Sequence, residues 1–185
     1  QNGNLSMTTS STPTKVGDLD ADFNLGWTNH FTYKGIDLGV VLTARVGGLA
    51  YSATQGILDY YGVSESSAIA RDNGGVAVNN GQVEAQKYYQ TVGTGEGGYG
   101  RYYLYSASNV RLQELSLNYT LPRKWFKNVA NVTLGVVGRN LWLIYCKAPF
   151  DPELSASTSS NYYMNVDYFM QPSLRNVGFN VKVQF

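Results

Sequence analysis

Nowhere does this chain approach the ~18 consecutive apolar residues that a membrane-crossing helix needs. That lack excludes helical spans and leaves strands open, because a barrel strand shows lipid only every second residue. Cysteine occurs once, at Cys146, so an internal disulfide is excluded. With no histidine paired to it, Cys146 reads as a small, partly buried apolar side chain and not as a nucleophile. Histidine also occurs once, at His30, too few for a histidine metal site. Neither sign of charge is in excess, with 14 basic against 13 acidic side chains, which excludes the basic surface of a nucleic-acid binder. What the chain does have is 15 Tyr and 20 Gly. That pair suits β structure with many turns and amphipathic aromatics at a water boundary. Gln1 is not a start residue, and the chain reads as a piece of something longer.

Residues 1–22 are rich in Ser, Thr and Asn and show no apolar period, so they form a lead-in loop. Asp18, Asp20 and Asp22 lack the Gly and distal Glu of a calcium loop and read as a solvated turn. From Phe23 to Tyr33 the odd positions are mostly apolar and the even ones polar or Gly, the period-two pattern of a strand. Lys34-Gly35 is a two-residue hairpin turn. The return strand puts Ile36, Leu38, Val40 and Leu42 on one face, and the pairing of Tyr33 with Ile36 joins both apolar rows on one side. A third strand runs from about Asn109 to Leu121, with Leu115, Leu117 and Tyr119 on its apolar face. Val110 and Leu112 are out of phase with that row, which predicts a bulge near Gln113 or emergence of the strand above the apolar zone. Pro122 ends the strand, and one helical turn follows to Asn128. A fourth strand from about Asn131 to Ile144 and a terminal strand from Val177 to Phe185 repeat the alternation.

Between these strands, residues 48–107 and 145–174 carry no long period. The first is Gly-rich without a phosphate-loop Lys, and is expected to be an irregular loop with local turns or short helices around Leu58–Tyr61 and Val83–Tyr89. Tyr88, Tyr89, Tyr102 and Tyr103 in that segment, and Tyr162 and Tyr163 in the second, are the candidate ligand or partner contacts. Aromatics stack on sugar faces or peptide side chains.

Four strands of ten or more residues suit a tilted membrane strand, which needs about nine to eleven, better than the usual five to six. No Asp, Glu, Lys or Arg falls in the apolar rows; Asp37, Arg45, Arg139 and Lys182 lie on the opposite, lumen-facing rows. The connections alternate short, long, short, long, as periplasmic turns and extracellular loops do in an up-and-down barrel. The fold class is therefore all-β, a transmembrane antiparallel up-and-down β-barrel segment. A secreted β-sandwich that binds carbohydrate with the same Tyr-rich loops stays open as the alternative. An enzyme finds no support, since Asp151-Pro152-Glu153 offers two carboxylates at no fixed separation.

The run Ser108-Asn109-Val110-Arg111-Leu112-Gln113-Glu114-Leu115-Ser116-Leu117-Asn118-Tyr119-Thr120-Leu121-Pro122 resembles the penultimate hairpin of SusC/RagA-family TonB-dependent transporters. Gly138-Arg139-Asn140-Leu141-Trp142, Phe150-Asp151-Pro152-Glu153, Gln171-Pro172 and the terminal Phe185 follow in that family's order. Val16-Gly17-Asp18, Asp22-Phe23 and Tyr33-Lys34 resemble its preceding hairpin. The resemblance implies that residues 23–185 are about the last five strands of a 22-strand barrel in the outer membrane of a Gram-negative bacterium. It also implies a plug and a TonB contact carried by a preceding part, and a SusD-like lipoprotein partner. The cargo would be oligosaccharide or peptide, with no cofactor and no catalysis. Phe185 would be the terminal aromatic that barrel-assembly machinery recognises.

Overall fold

The computed structural model describes residues 5, 7, 11–79, 81–93, 100–153 and 165–185. In chain order the elements are β1 (Phe23–Tyr33), β2 (Ile36–Val46), β3 (Leu49–Ser52), α1 (Ala53–Tyr60), α2 (Glu65–Asp72), β4 (Val76–Val78), β5 (Gly81–Val83), α3 (Ala85–Gly93), β6 (Leu104–Ser106), β7 (Asn109–Thr120), β8 (Asn131–Cys146), β9 (Val166–Asp167) and β10 (Asn176–Gln184). Short 3-10 turns occupy Gly100–Tyr102 and Arg123–Phe126. The elements divide into two compact units. One consists of Ala21–Gly47, Ala107–Asp151 and Pro172–Phe185, and is the sheet unit; the other consists of Gln1–Asp20, Gly48–Ser106 and Pro152–Gln171, and is the inserted unit.

The sheet unit holds one five-stranded antiparallel sheet in the order β1-β2-β7-β8-β10. Each of these strands pairs with the next of the five in the chain, so the topology is a meander. The β1–β2 turn is the expected one: Lys34 and Gly35 both have positive φ, 46° and 85°, the geometry whose twist matches the flanking strands. A Cβ on Gly35 would lie 2.9 Å from the Thr120 carbonyl oxygen, so glycine is required there by both φ and space. The Thr120 N–H donates to the Gly35 carbonyl at 2.7 Å, tying the turn to β7.

The bulge falls where the phase change placed it. Val41 pairs with Glu114 and Leu42 with Leu112, leaving Gln113 extra on β7. Opposite it on β8, Asn140 and Leu141 are passed over between Arg139 and Trp142, and Asn140 has a φ of 53°. A further shift between Val110 and Arg111 passes over Ile144, and β8 runs to Cys146, two residues beyond the expected end.

Register now decides the faces. One face carries the rows Tyr33–Ile36–Tyr119–Leu134–Val181 and Phe31–Leu38–Leu117–Val136–Phe179. Trp27 and Trp142 belong to one row of that face through Leu42 and Leu112. The other face carries Asp37, Arg45, Glu114, Arg139 and Lys182. Within this unit no second layer covers the apolar rows among the described residues, and Phe179 and Val181 are 82% and 67% exposed. A sandwich would instead pack this face on a second sheet. β1 and β10 do not pair with each other, so the sheet is open at both edges.

The inserted unit corrects the reading of 48–107 as an irregular loop. It holds a three-stranded sheet in the order β6-β3-β9, the β4–β5 hairpin, and helices α1, α2 and α3. The sequence hides this order because the buried side chains include Ala50, Ala53, Ala70, Ala85, Val92 and Tyr103 together with the polar Ser52, Asp59, Ser64, Ser67 and Asp167. A core of alanine, hydroxyl and carboxylate leaves no run of large aliphatics to read as a period.

Candidate functional site

In the inserted unit, α1 starts at Ser52, whose hydroxyl accepts from the Gln55 N–H at 3.1 Å and donates to Asp167 at 2.7 Å. Ser64 caps α2 in the same way through the Ser67 N–H. Both caps satisfy helix-end donors that would otherwise be orphaned. Helices α1 and α3 approach closely because Gly93 faces α1: a Cβ there would lie 2.7 Å from the Gly56 carbonyl oxygen.

Asp59 stands at the centre of this packing, 5% exposed. Its Oδ1 accepts from Gln55 Nε2 and from Ser66 Oγ, each at 2.9 Å, and its Oδ2 accepts from the Tyr103 hydroxyl at 3.0 Å. Among the described residues no basic side chain pairs with it. Three donors replace the water that a buried carboxylate loses.

Around Asp59 a cavity of about 240 Å³ opens, walled by Tyr88, Tyr89, Tyr102, Tyr103 and Tyr105. A second cavity of about 170 Å³, lined among others by Tyr60, Tyr61 and Arg71, shares Asp59 and Tyr89 with the first. The structure thus brings together Tyr88, Tyr89, Tyr102 and Tyr103 from the sequence candidates. Their positions differ in kind: Tyr102 is half exposed at the rim, while Tyr103 is buried with its hydroxyl committed to Asp59. Tyr88 and Tyr89 meet edge to face at 5.1 Å. Tyr162 and Tyr163 lie outside the described residues. Tyr105 and Asp59 were not among the candidates. A usable signal for the helix bearing Asp59 was Ser52-Ala53-Thr54-Gln55, a capping-box spacing.

Burial pushes the phenols of Tyr51, Tyr88, Tyr103 and Tyr105 above their usual value, and the negative charge of Asp59 adds to the effect at Tyr88, Tyr103 and Tyr105. The hydroxyls therefore stay neutral donors. The sign follows from linkage: above pH ~10 the unfolded chain releases phenolic protons that the folded unit retains, so stability falls as pH rises. Alkaline titration followed by far-ultraviolet circular dichroism should show loss of helix above pH ~10, and a helical signal independent of alkali would contradict it.

A second cluster lies in the sheet unit. Arg111 on β7 is buried, and its NH2 meets Asp151 Oδ1 at 2.6 Å. Its NH1 donates to Asn140 Oδ1 and to Ser173 Oγ, and Ser173 in turn donates to Asp151 Oδ2. Asn140 Nδ2 reaches the Leu174 carbonyl at 3.2 Å. Stretches far apart in sequence, at Arg111, Asn140, Asp151 and Ser173, therefore converge on one guanidinium. Asp37, Arg45, Arg139 and Lys182 share the polar face of the sheet. A partly exposed ion pair links Arg139 to Glu114 at 2.8 Å, and Asp37 accepts from the Thr32 hydroxyl at 3.3 Å.

No protein-family model matches the chain. The TonB-dependent receptor P3 of Formosa agariphila is 27% identical over 175 residues, which is 90% of this chain and 17% of that protein. The structure of the RagAB peptide importer in its open-open state superposes on 98% of this chain with a TM-score of 0.71 at 19% identity. Its closed-closed state gives 0.64 over 97%, also at 19% identity. The chain spans 19% of the length of either structure's matching chain. In sequence and in strand topology it resembles a segment of a TonB-dependent receptor of the SusC/RagA type. Receptors of that type are transporters, not enzymes, and reside in the Gram-negative outer membrane.

Proposed function

We propose that this chain supplies about the last five strands of a 22-strand outer-membrane barrel in a TonB-dependent transporter. The observation that carries the reading is the meander whose apolar face is exposed and free of charge, while every charge of the five strands sits on the other face. In that reading the apolar rows meet lipid, Asp37, Arg45, Arg139 and Lys182 line the lumen, and β1 and β10 pair with strands outside this chain. The short connections at Lys34-Gly35 and 121–130 take the periplasmic side. The chain of the inserted unit leaves the sheet at the opposite end, which is then the cell exterior.

The inserted unit then works in cargo capture, through the tyrosine-walled cleft around Asp59. The likeness to the RagAB peptide importer supports a peptide cargo and a SusD-like lipoprotein partner, and the likeness to the TonB-dependent receptor P3 supports drive through TonB. Replacing residues 53–99 of the full-length transporter by a short Gly/Ser link tests this. Uptake or lipoprotein docking should fall severalfold while the barrel still assembles in the outer membrane. Undiminished uptake and docking would remove the inserted unit from the mechanism.

A further inference from the structure

The chemistry of the cleft goes further than its shape. Five tyrosines and Asp59 line it, with Gln55, Ser66 and Val92 completing the wall. The chamber holds one acidic side chain, and among the described residues no basic one lines it. Arg71 borders the neighbouring cavity, with its NH1 donating to the Gly62 carbonyl at 2.7 Å. An ionised carboxylate offers about four lone-pair sites, and the fold uses three of them on Gln55, Ser66 and Tyr103. One acceptor site on Asp59 is left for a guest.

We propose that the cleft binds the cationic group of a small ligand, an ammonium or guanidinium that stands against Asp59 between Tyr88, Tyr89 and Tyr102. This deepens, and rests on, the reading of the cleft as a cargo site. A carboxylate that no basic side chain pairs with among the described residues, set against aromatic side chains, favours a positive guest over a neutral one, and aromatic faces attract the same charge. A neutral sugar would satisfy the hydroxyls and leave the charge of Asp59 uncompensated. An anionic guest would meet like charge on entry. Burial holds the phenols of Tyr88, Tyr103 and Tyr105 in the protonated form, which supports the choice, since an ionised phenol would compete with Asp59 for the cation. The positive group can come from a Lys or Arg side chain of a peptide, or from an amino sugar.

The experiment uses the full-length transporter in detergent and calorimetric titration with acetyl-Gly-Lys-Gly-amide, whose side chain is its only charge. Acetylating that lysine should weaken binding about tenfold. Tyr102→Leu should weaken it about fivefold, whereas Tyr102→Phe, which keeps the ring, should not. Tyr102 lies at the rim and outside the Asp59 hydrogen bonds, so thermal unfolding should be unchanged in both variants. A glucosamine trimer set against its N-acetylated form tells an amino-sugar source from a peptide one. Equal affinity for the free and acetylated lysine peptides, or no binding of any cationic probe, overturns the proposal. If neutral maltotriose binds instead and Tyr102→Leu weakens it, the cation preference is wrong and the cargo site stands. If no probe binds and uptake survives replacement of 53–99, the cargo site itself is wrong.

Discussion

Val181→Arg is expected to abolish outer-membrane assembly of the full-length transporter proposed above, while Thr133→Arg should leave it largely intact. Val181 is the last position of a five-strand row, Tyr33–Ile36–Tyr119–Leu134–Val181, and is 67% exposed on a face without charge. A basic side chain on a lipid-facing strand costs up to roughly 2 to 4 kcal/mol, most at the bilayer midplane and less toward the interfaces. That is a large part of the ~5–15 kcal/mol by which a folded protein exceeds its unfolded chain. Thr133 pairs with Lys182 on the polar face, where a second cation meets water and polar side chains. Leu134→Arg, beside Val181 in the same row, should behave as Val181→Arg does. The measurement is heat-modifiable mobility in outer-membrane fractions. Equal assembly of Val181→Arg and Thr133→Arg would sink the assignment of faces.

Arg111→Ala should destabilise the sheet unit by about 3 to 5 kcal/mol, the usual result of stripping one partner from a buried ion pair. Side-chain exposures of 4% for Arg111 and 8% for Asp151 leave the remaining carboxylate out of reach of solvent. Ser173, Asn140 and, through Asn140, the Leu174 carbonyl lose their anchor at the same time. The double replacement Arg111→Met with Asp151→Leu should cost less than either single change, because it leaves no charge unpaired. Urea unfolding of the detergent-solubilised transporter measures all three. Additive costs would mean that the two residues do not act as a pair.

Much of the sheet was legible in the sequence, and the reason is mechanical. Where one face meets water-filled polar surroundings and the other does not, every second residue is constrained, and the constraint prints itself along Val177, Phe179, Val181 and Val183. The turn at Lys34-Gly35 and the bulge near Gln113 were also readable, one from glycine and the other from a broken phase. The second irregularity, at Asn140, was not, since an asparagine within an apolar alternation carries no signal of a left-handed backbone. The inserted unit was nearly opaque. Its order depends on serine caps, a glycine contact between helices and hydrogen bonds to one carboxylate. Side chains of those types are as common in loops as in cores. Four tyrosines were identified as a group from composition, but what gathers them is Asp59, which no local pattern marks. Arg111 stood inside a recognised run without its role being visible, because its partners come from 29, 40 and 62 residues downstream.

The parallel pairing of β3 with β9 has a consequence for the order in which the molecule forms. Tyr51 pairs with Val166, and Ser52 caps α1 while also holding Asp167, 115 residues away. Helices α1 to α3 can gather as soon as their own stretch has emerged, since their contacts are local. The edge of their sheet must wait until β7 and β8 have been made and the chain has returned. Such distant closure is slow, because its entropy is lost before any contact repays it. The inserted unit would then reach its final form late, with β9 as the strand that completes it.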